Sequence, residues 1–270
     1  MPGIHKTPDA YIARSSRLHR LDARLKLQLV LVFLLTIGLL PQGAWGAYIL
    51  LAAILAAAML ISHVPMKTLI KRSLMIELPF LLVLLPVLFR PGGQDLAVYQ
   101  LANRAIIISE KGSMAFFSIL IKSGLSIQAA VLLNAVTRPM DVLAGMRSLG
   151  YPRLLSAVLG LMWRYAYIIK HEAERMLTAR AARSGQPKNG MRKTGGTITW
   201  RAHVTGSMLG SLFLRSLARS ERVYQAMLSR GYDGEVRLVE MIPLSVREKL
   251  LLTAAALTAV LFLFAARMIY

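Results

Sequence analysis

The string HEAER, from His171 to Arg175, is this chain's nearest approach to a metalloprotease motif. In that motif two histidines four residues apart on one helix face hold zinc, and the glutamate beside the first acts as base. Arg175 stands where the second ligand is required, so the string holds no zinc. GQPKNGMRK, from Gly185, has two glycines at phosphate-loop spacing. Met191 and Arg192 replace the lysine and hydroxyl residue that would reach phosphate and magnesium, so the chain is not expected to hydrolyse ATP. There is no cysteine, which removes thiolate metal sites, disulfides and a cysteine nucleophile. The five histidines (His5, His19, His63, His171 and His203) lack ligand-like spacing, and no Ser-His-Asp set is convincing. These residues predict a non-catalytic chain with no metal or cofactor of its own.

A repeat is more informative. ERMLTARAARSGQP begins at Glu174 and ERVYQAMLSRGYDG at Glu221, forty-seven residues later. Glu174, Arg175, Ala179 and Arg183 align with Glu221, Arg222, Ala226 and Arg230. In each copy an arginine stands between small residues just before a stop signal: Ala182-Arg183-Ser184 and Ser229-Arg230-Gly231. A cation at a helix C-terminus suits the helix dipole, which is the plain explanation. The sharper one is a pair of arginine forks, each shaped to hold a carboxylate in a partner's groove. The matched Glu-Arg pair before each tip favours a connector for two copies of one partner, or for two similar partners.

The elements that carry these tips follow from composition. The 270 residues are 56% hydrophobic, with mean hydropathy +0.53 and net charge +20. A nucleic-acid binder could be as basic but would not carry long uncharged apolar runs. The mixture predicts a membrane protein whose positive charge collects on one side. A helical span needs about 20 mostly apolar residues. LQLVLVFLLTIGLLP opens a first span near Leu27 and AYILLAAILAAAMLI a second, separated by the turn at Pro41-Gln42-Gly43. MIELPFLLVLLPVLF is a third, with Pro79 and Pro86 inside it. MAFFSILIKSGLSIQAAVLLNAV is a fourth and LLLTAAALTAVLFLFAA a last, from about Leu250. Lys6, Arg14, Arg17, Arg20, Arg24 and Lys26 precede the first span, and Lys67, Lys71 and Arg72 follow the second. The positive-inside tendency then places the N-terminus in the cytoplasm and the C-terminus outside.

The expected fold is an all-α integral membrane protein with about five transmembrane helices and a cytoplasmic coupling domain of long amphipathic helices. Residues 1–26 form a cytoplasmic segment, 27–137 spans one to four, 138–249 the coupling helices and 250–270 the last span. Within the insert, LLSAVLGLM lies between Arg153 and Arg164, and HVTGSMLGSLFL between Arg201 and Arg215. Both runs are short for crossing a bilayer and read as helices along its inner face, with a seven-span arrangement as the alternative. One helix starts beside Pro152 and runs to Ser184; another runs from about Thr199 to Ser229 or Arg230. The short stretch PMDVLAGMRSLG precedes both as a smaller helix. Gly206 and Gly210, with Ser207 and Ser211, give the second long helix a small-residue face fit for a close crossing. Lys122, Ser123 and Gln128 sit inside the fourth span, where polar groups face protein or water. A structural contact and a contact to a membrane partner are both open for them. Glu77 is the only carboxylate in a span, which counts against a membrane-embedded enzyme.

LHRLDARLKLQLVL, IQAAVLLNAVTRPMDVLAGMRSLGYPRLL and SLARSERVYQAMLSRGYDGE together resemble the transmembrane T component of energy-coupling factor (ECF) transporters, most closely the cobalt-type CbiQ branch. The resemblance covers nearly the whole chain. It maps the family's two Ala-Arg-Gly signatures onto Ala182-Arg183-Ser184 and Ser229-Arg230-Gly231, each with one substitution. It implies a scaffold of an ABC-type importer in the bacterial inner membrane, whose arginine tips dock in two ATP-binding subunits. It further implies that ATP and Mg bind those ATPase subunits. Cobalt or nickel would bind a membrane S component, with a small accessory membrane subunit as a further partner. No nucleic acid is involved. A stand-alone secondary carrier and a vitamin-type T component are the competing expectations.

Overall fold

The computed structural model describes residues 11–12, 14, 16–89, 95–101, 104–148, 150–183, 197–233 and 245–269. The chain divides into two compact units, Met1–Leu149 with Met241–Tyr270, and Gly150–Glu240.

The first unit opens with a short helix α1 (Arg17–Arg20), capped by Ser16, whose side chain accepts from the His19 N–H. Helix α2 (Ala23–Leu39) begins at Asp22, whose carboxylate accepts from the Arg24 N–H at 3.0 Å. That cap starts the helix four residues before the apolar run at Leu27, a signal that hydropathy alone misses. Leu40 ends α2, and a turn through Gly43 at φ +84° leads into α3 (Trp45–Ser62). The Gly43 N–H donates to Ser118 Oγ at 3.0 Å, and Tyr48 Oη donates to the Pro41 carbonyl at 2.7 Å. These bonds tie the predicted helical hairpin to the helix behind it. His63, in the left-handed region, closes α3.

Helix α4 (Met66–Leu88) contains both Pro79 and Pro86 and runs along α5 (Glu110–Val136). Between them lies an antiparallel hairpin, β1 (Asp95–Leu101) and β2 (Arg104–Ser109), in the connection between the third and fourth expected spans. Val98 pairs with Ile107 and Tyr99 with Ile106, so the β-branched run AIII supplies the strand. Ser109 then caps α5, accepting from the Gly112 N–H at 3.1 Å. A short helix α6 (Pro139–Ser148) packs on α2 through Gly145, where an added Cβ would lie 3.6 Å from the Arg24 backbone nitrogen.

The core joins Tyr48, Leu51, Leu55 and Met59 of α3 to Leu125, Ala129, Leu132 and Ala135 of α5. A final helix, α9 (Val246–Ile269), packs on α2. Among the described residues three helices, Trp45–Ser62, Glu110–Val136 and Val246–Ile269, are long and apolar enough to cross a membrane. α2 is shorter, at 17 residues, and α4 carries Lys71, Arg72 and Glu77 in its first half. Wide apolar exposure on α4 and α9, such as Val83 and Phe264, fits helices whose solvent is lipid. The fold is the expected helical membrane class, with one strand hairpin added among the described residues.

The polar residues of the fourth expected span have local work. Lys122 Nζ donates to the Leu40 carbonyl and lies 6.0 Å from the centre of the Tyr48 ring. Ser123 Oγ donates to the Leu120 carbonyl at 2.9 Å. Glu77 is drawn against α5, where a Cβ added to Gly124 would lie 2.9 Å from its Oε1. Lys122 and Ser123 therefore make contacts within the chain.

Candidate functional site

The second unit is built from α7 (Arg153–Arg183) and α8 (Ile198–Leu228). Pro152 stands immediately before α7, and its carbonyl accepts from the Ser156 N–H at 3.2 Å, so proline opens the helix without a lost donor. Thr197 caps α8 by accepting from the Trp200 N–H at 3.3 Å. At the other end of α8 the Gly231 N–H reaches the Leu228 carbonyl at 3.0 Å, and the Tyr232 N–H reaches Met227 at 3.0 Å. Gly231 has φ +79°. This is the Schellman arrangement, which needs a residue tolerant of the left-handed region. Glycine stops the helix there and leaves Arg230 as the last side chain of the tip.

Two contacts set the direction of the pair. Arg215 donates from Nη1 to Glu172 Oε1 at 2.7 Å, and Arg180 donates from Nη1 to Thr205 Oγ1 at 3.0 Å. Arg180 also lies 6.0 Å from the centre of the Trp200 ring. Moving up α7 from Glu172 to Arg180 means moving down α8 from Arg215 to Thr205, so the helices are antiparallel. The C-terminal tips therefore point away from each other. At 1.5 Å per residue, Arg183 lies about 16 Å along α7 beyond Glu172, and Arg230 about 22 Å along α8 beyond Arg215. The two arginines stand roughly 40 Å apart along the pair by the same measure.

Ala182 and Arg183 close α7 and are exposed, as are Ser229, Arg230 and Gly231 at the end of α8. Ser184 lies outside the described residues. The supporting residues match in sequence but not in contacts. Glu174 pairs on its own helix with Lys170 at 3.7 Å and His171 Nδ1 at 3.3 Å. Arg222 Nε donates to the Ala218 carbonyl at 3.2 Å, and Arg175 and Glu221 are exposed. The HEAER residues thus serve ion pairs, and among the described residues no three metal-ligating side chains converge.

Sequence reasoning missed Glu172 and Arg215 as the cross-link, although an acid and a base on two amphipathic helices are the signal to look for. The Arg215 hydrogen bond holds the Glu172 carboxyl below its ordinary value, with Arg175 and Arg219 adding to the effect. Below this contact, Val158, Met162 and Ile169 of α7 face Phe213, Leu217 and Met227 of α8 across an apolar groove of about 1140 Å³. Gly206 and Gly210 do not form a close crossing: a Cβ on either would meet nothing within 4 Å.

Residues 14–241 match the family CbiQ, described as cobalt transport protein. The chain belongs to the CbiQ family. An energy-coupling factor transporter transmembrane protein EcfT of Listeria innocua is 30% identical over 83% of this chain and 83% of its own length. A cobalt transport protein CbiQ of Rhodobacter capsulatus is 25% identical over 73% of each chain. An uncharacterized protein of Methanocaldococcus jannaschii is 25% identical over 95% of this chain and 85% of its own. The CbiQ-family chain is thus similar to proteins named as transmembrane components of energy-coupling factor transporters and to one named as a cobalt transport protein.

Proposed function

We propose that this chain is the energy-coupling subunit of an ATP-driven importer, joining two ATPase subunits to a substrate-binding membrane S component. The observation that carries the reading is the placement of Arg183 and Arg230 at opposite ends of an antiparallel helix pair. Two helix tips with the same arginine signature at opposite ends of one helix pair suit two equivalent grooves on two copies of one partner, each offering a carboxylate to a guanidinium. A secondary carrier gives such tips no role. ATP and magnesium would bind the ATPase subunits. The family description and the Rhodobacter capsulatus relative support a transition-metal cargo, cobalt or nickel, held by the S component.

The reading places the chain in the cell membrane with five spans, counting α2 and α4 beside the three long apolar helices. The basic residues before α2 and at the start of α4 support a cytoplasmic N-terminus and an external C-terminus. A second reading keeps the coupling role and assigns an organic, vitamin-type substrate. The relatives named EcfT, whose names carry no metal, favour it.

The deciding experiment is affinity purification of the full chain from membranes of a cell expressing it together with candidate ATPase subunits. Recovery of an ATPase with two copies per chain is expected, followed by uptake assays with cobalt, nickel and vitamins. Recovery of the chain alone, with transport driven by an ion gradient, would overturn the coupling role.

A further inference from the structure

In the first unit, a groove of about 490 Å³ opens between α2, α3, α5 and α9. Phe33, Leu51, Leu132, Ala259 and Phe262 supply apolar walls, and Lys26 stands at one end. Lys26 is only 7% exposed. Its ammonium donates to the His19 carbonyl at 3.2 Å and to the Val136 carbonyl at 3.4 Å. An ammonium carries three donors. Among the described residues the third has no acceptor, and no carboxylate lies within ion-pair distance. Asp22 and Asp141 act on Lys26 only from farther away, and Asp22 already accepts from the Arg24 N–H. Arg14 and Arg20 are exposed at this same end of the bundle. A buried cation with a spare donor and no close counter-ion, facing an open apolar groove, is an incomplete arrangement.

We propose that the groove binds one anionic phospholipid, its phosphate on Lys26 and one acyl chain along α2 and α9, the other lying in the surrounding bilayer. The dimensions support this occupant. Along α2 the lining runs from Lys26 to Thr36, about 15 Å at 1.5 Å per residue, or half of a ~30 Å hydrocarbon core. That is the depth of one leaflet. A partner's transmembrane helix, ~30 Å long, would overrun a groove half that length. The charge at Lys26, Arg14 and Arg20 selects a lipid with net negative charge over a zwitterionic one.

The test uses the full chain in nanodiscs of palmitoyl-oleoyl phosphatidylcholine with or without palmitoyl-oleoyl phosphatidylglycerol. Lipid retained by the protein is counted by native mass spectrometry, and thermal unfolding is recorded in parallel. One tightly held phosphatidylglycerol and a higher unfolding temperature are expected for the wild type. Lys26→Met should lower retention at least tenfold, whereas Lys26→Arg should preserve it. Ala259→Phe fills the groove without touching the ammonium and should abolish both retention and the rise in unfolding temperature that phosphatidylglycerol gives the wild type. Leu261→Phe, on the exposed face of α9, should behave as wild type. Equal retention of both lipids by the wild type would overturn the proposal. So would full phosphatidylglycerol retention by Ala259→Phe.

Discussion

Lys26 and Lys122 each close the C-terminal end of the other's helix. Lys26, in the first turn of α2, donates to the carbonyl of Val136, the last residue of α5. Lys122, in the middle of α5, donates to the carbonyl of Leu40 at the end of α2. The last carbonyls of a helix have no partner of their own and carry the negative end of its dipole. Two antiparallel helices therefore exchange cations, and each ammonium sits where bulk water is scarce.

Replacing Lys122 by methionine keeps the aliphatic stem and removes the donor. A loss of about 0.6–2 kcal/mol is expected, the scale of interhelical hydrogen bonds within membranes. Lys26→Met should cost a similar amount, and the double change should be close to additive. The two lysines act about 20 Å apart along α5, well beyond the 7–10 Å at which effects couple. Reversible unfolding in mixed micelles measures all three. Strong non-additivity would mean the two ends are not independent.

Charge reversal at the helix tips separates docking from the helix dipole. With each arginine in an acidic groove, Arg183→Glu or Arg230→Glu should weaken ATPase co-purification by roughly 2–5 kcal/mol, or 30-fold and more. The double variant should lose metal uptake while still inserting into the membrane. A dipole role alone predicts a loss of only about 0.3–1 kcal/mol and near-normal transport.

The Glu172–Arg215 contact gives the α7–α8 pair a pH dependence. The ordinary glutamate value is 4.5, and Arg215 lowers it in the folded chain. A lowered carboxylate stabilises the fold fully above its ordinary value, and that stabilisation is lost as pH falls through the lowered one. Protection of the α7 and α8 amides, corrected for the intrinsic pH dependence of exchange, should be flat above about pH 5 and fall below it. Glu172→Gln should exchange faster at neutral pH and show no further acid response. The effect should be small, because Arg215 is 63% exposed.

Gly43 answers to two constraints at once. Its φ of +84° disfavours any L side chain, and an added Cβ would lie 3.1 Å from Met114 Sδ. Gly43→Ala should destabilise by about 1–2 kcal/mol. Gly38→Ala, in the interior of α2 with nothing within 4 Å, should stabilise by about 0.8–1 kcal/mol. Urea unfolding of both variants in detergent checks the opposite signs.

Periodicity and stop signals carried much of the architecture. The start beside Pro152 and the stop before Gly231 place α7 and α8 within two residues of their observed bounds. Hydropathy missed what depends on pairing at a distance. The strands at Asp95–Leu101 and Arg104–Ser109 support each other through ladder bonds, and neither has a period that declares it alone. The duplicated arginines were visible as a repeat, but their separation was not. Direction within a helix pair is decided by contacts such as Glu172–Arg215 and Arg180–Thr205, which no local pattern encodes. Lys122 could be singled out as a charge in a span, but its acceptor is a backbone carbonyl eighty-two positions away.

The packing of α9 on α2 carries a consequence for biosynthesis. About 200 residues separate the end of α2 at Leu39 from the start of α9 at Val246. At ~5–20 residues per second, α2 waits on the order of ten to forty seconds for its neighbour to leave the ribosome. During that interval the α2 face destined for α9 meets lipid, insertion machinery or another nascent chain. The insert at Gly150–Glu240 must also leave the ribosome before the first unit can close. Its synthesis acts as a timer on the assembly of the membrane bundle, and slow codons within it would lengthen the exposure of α2.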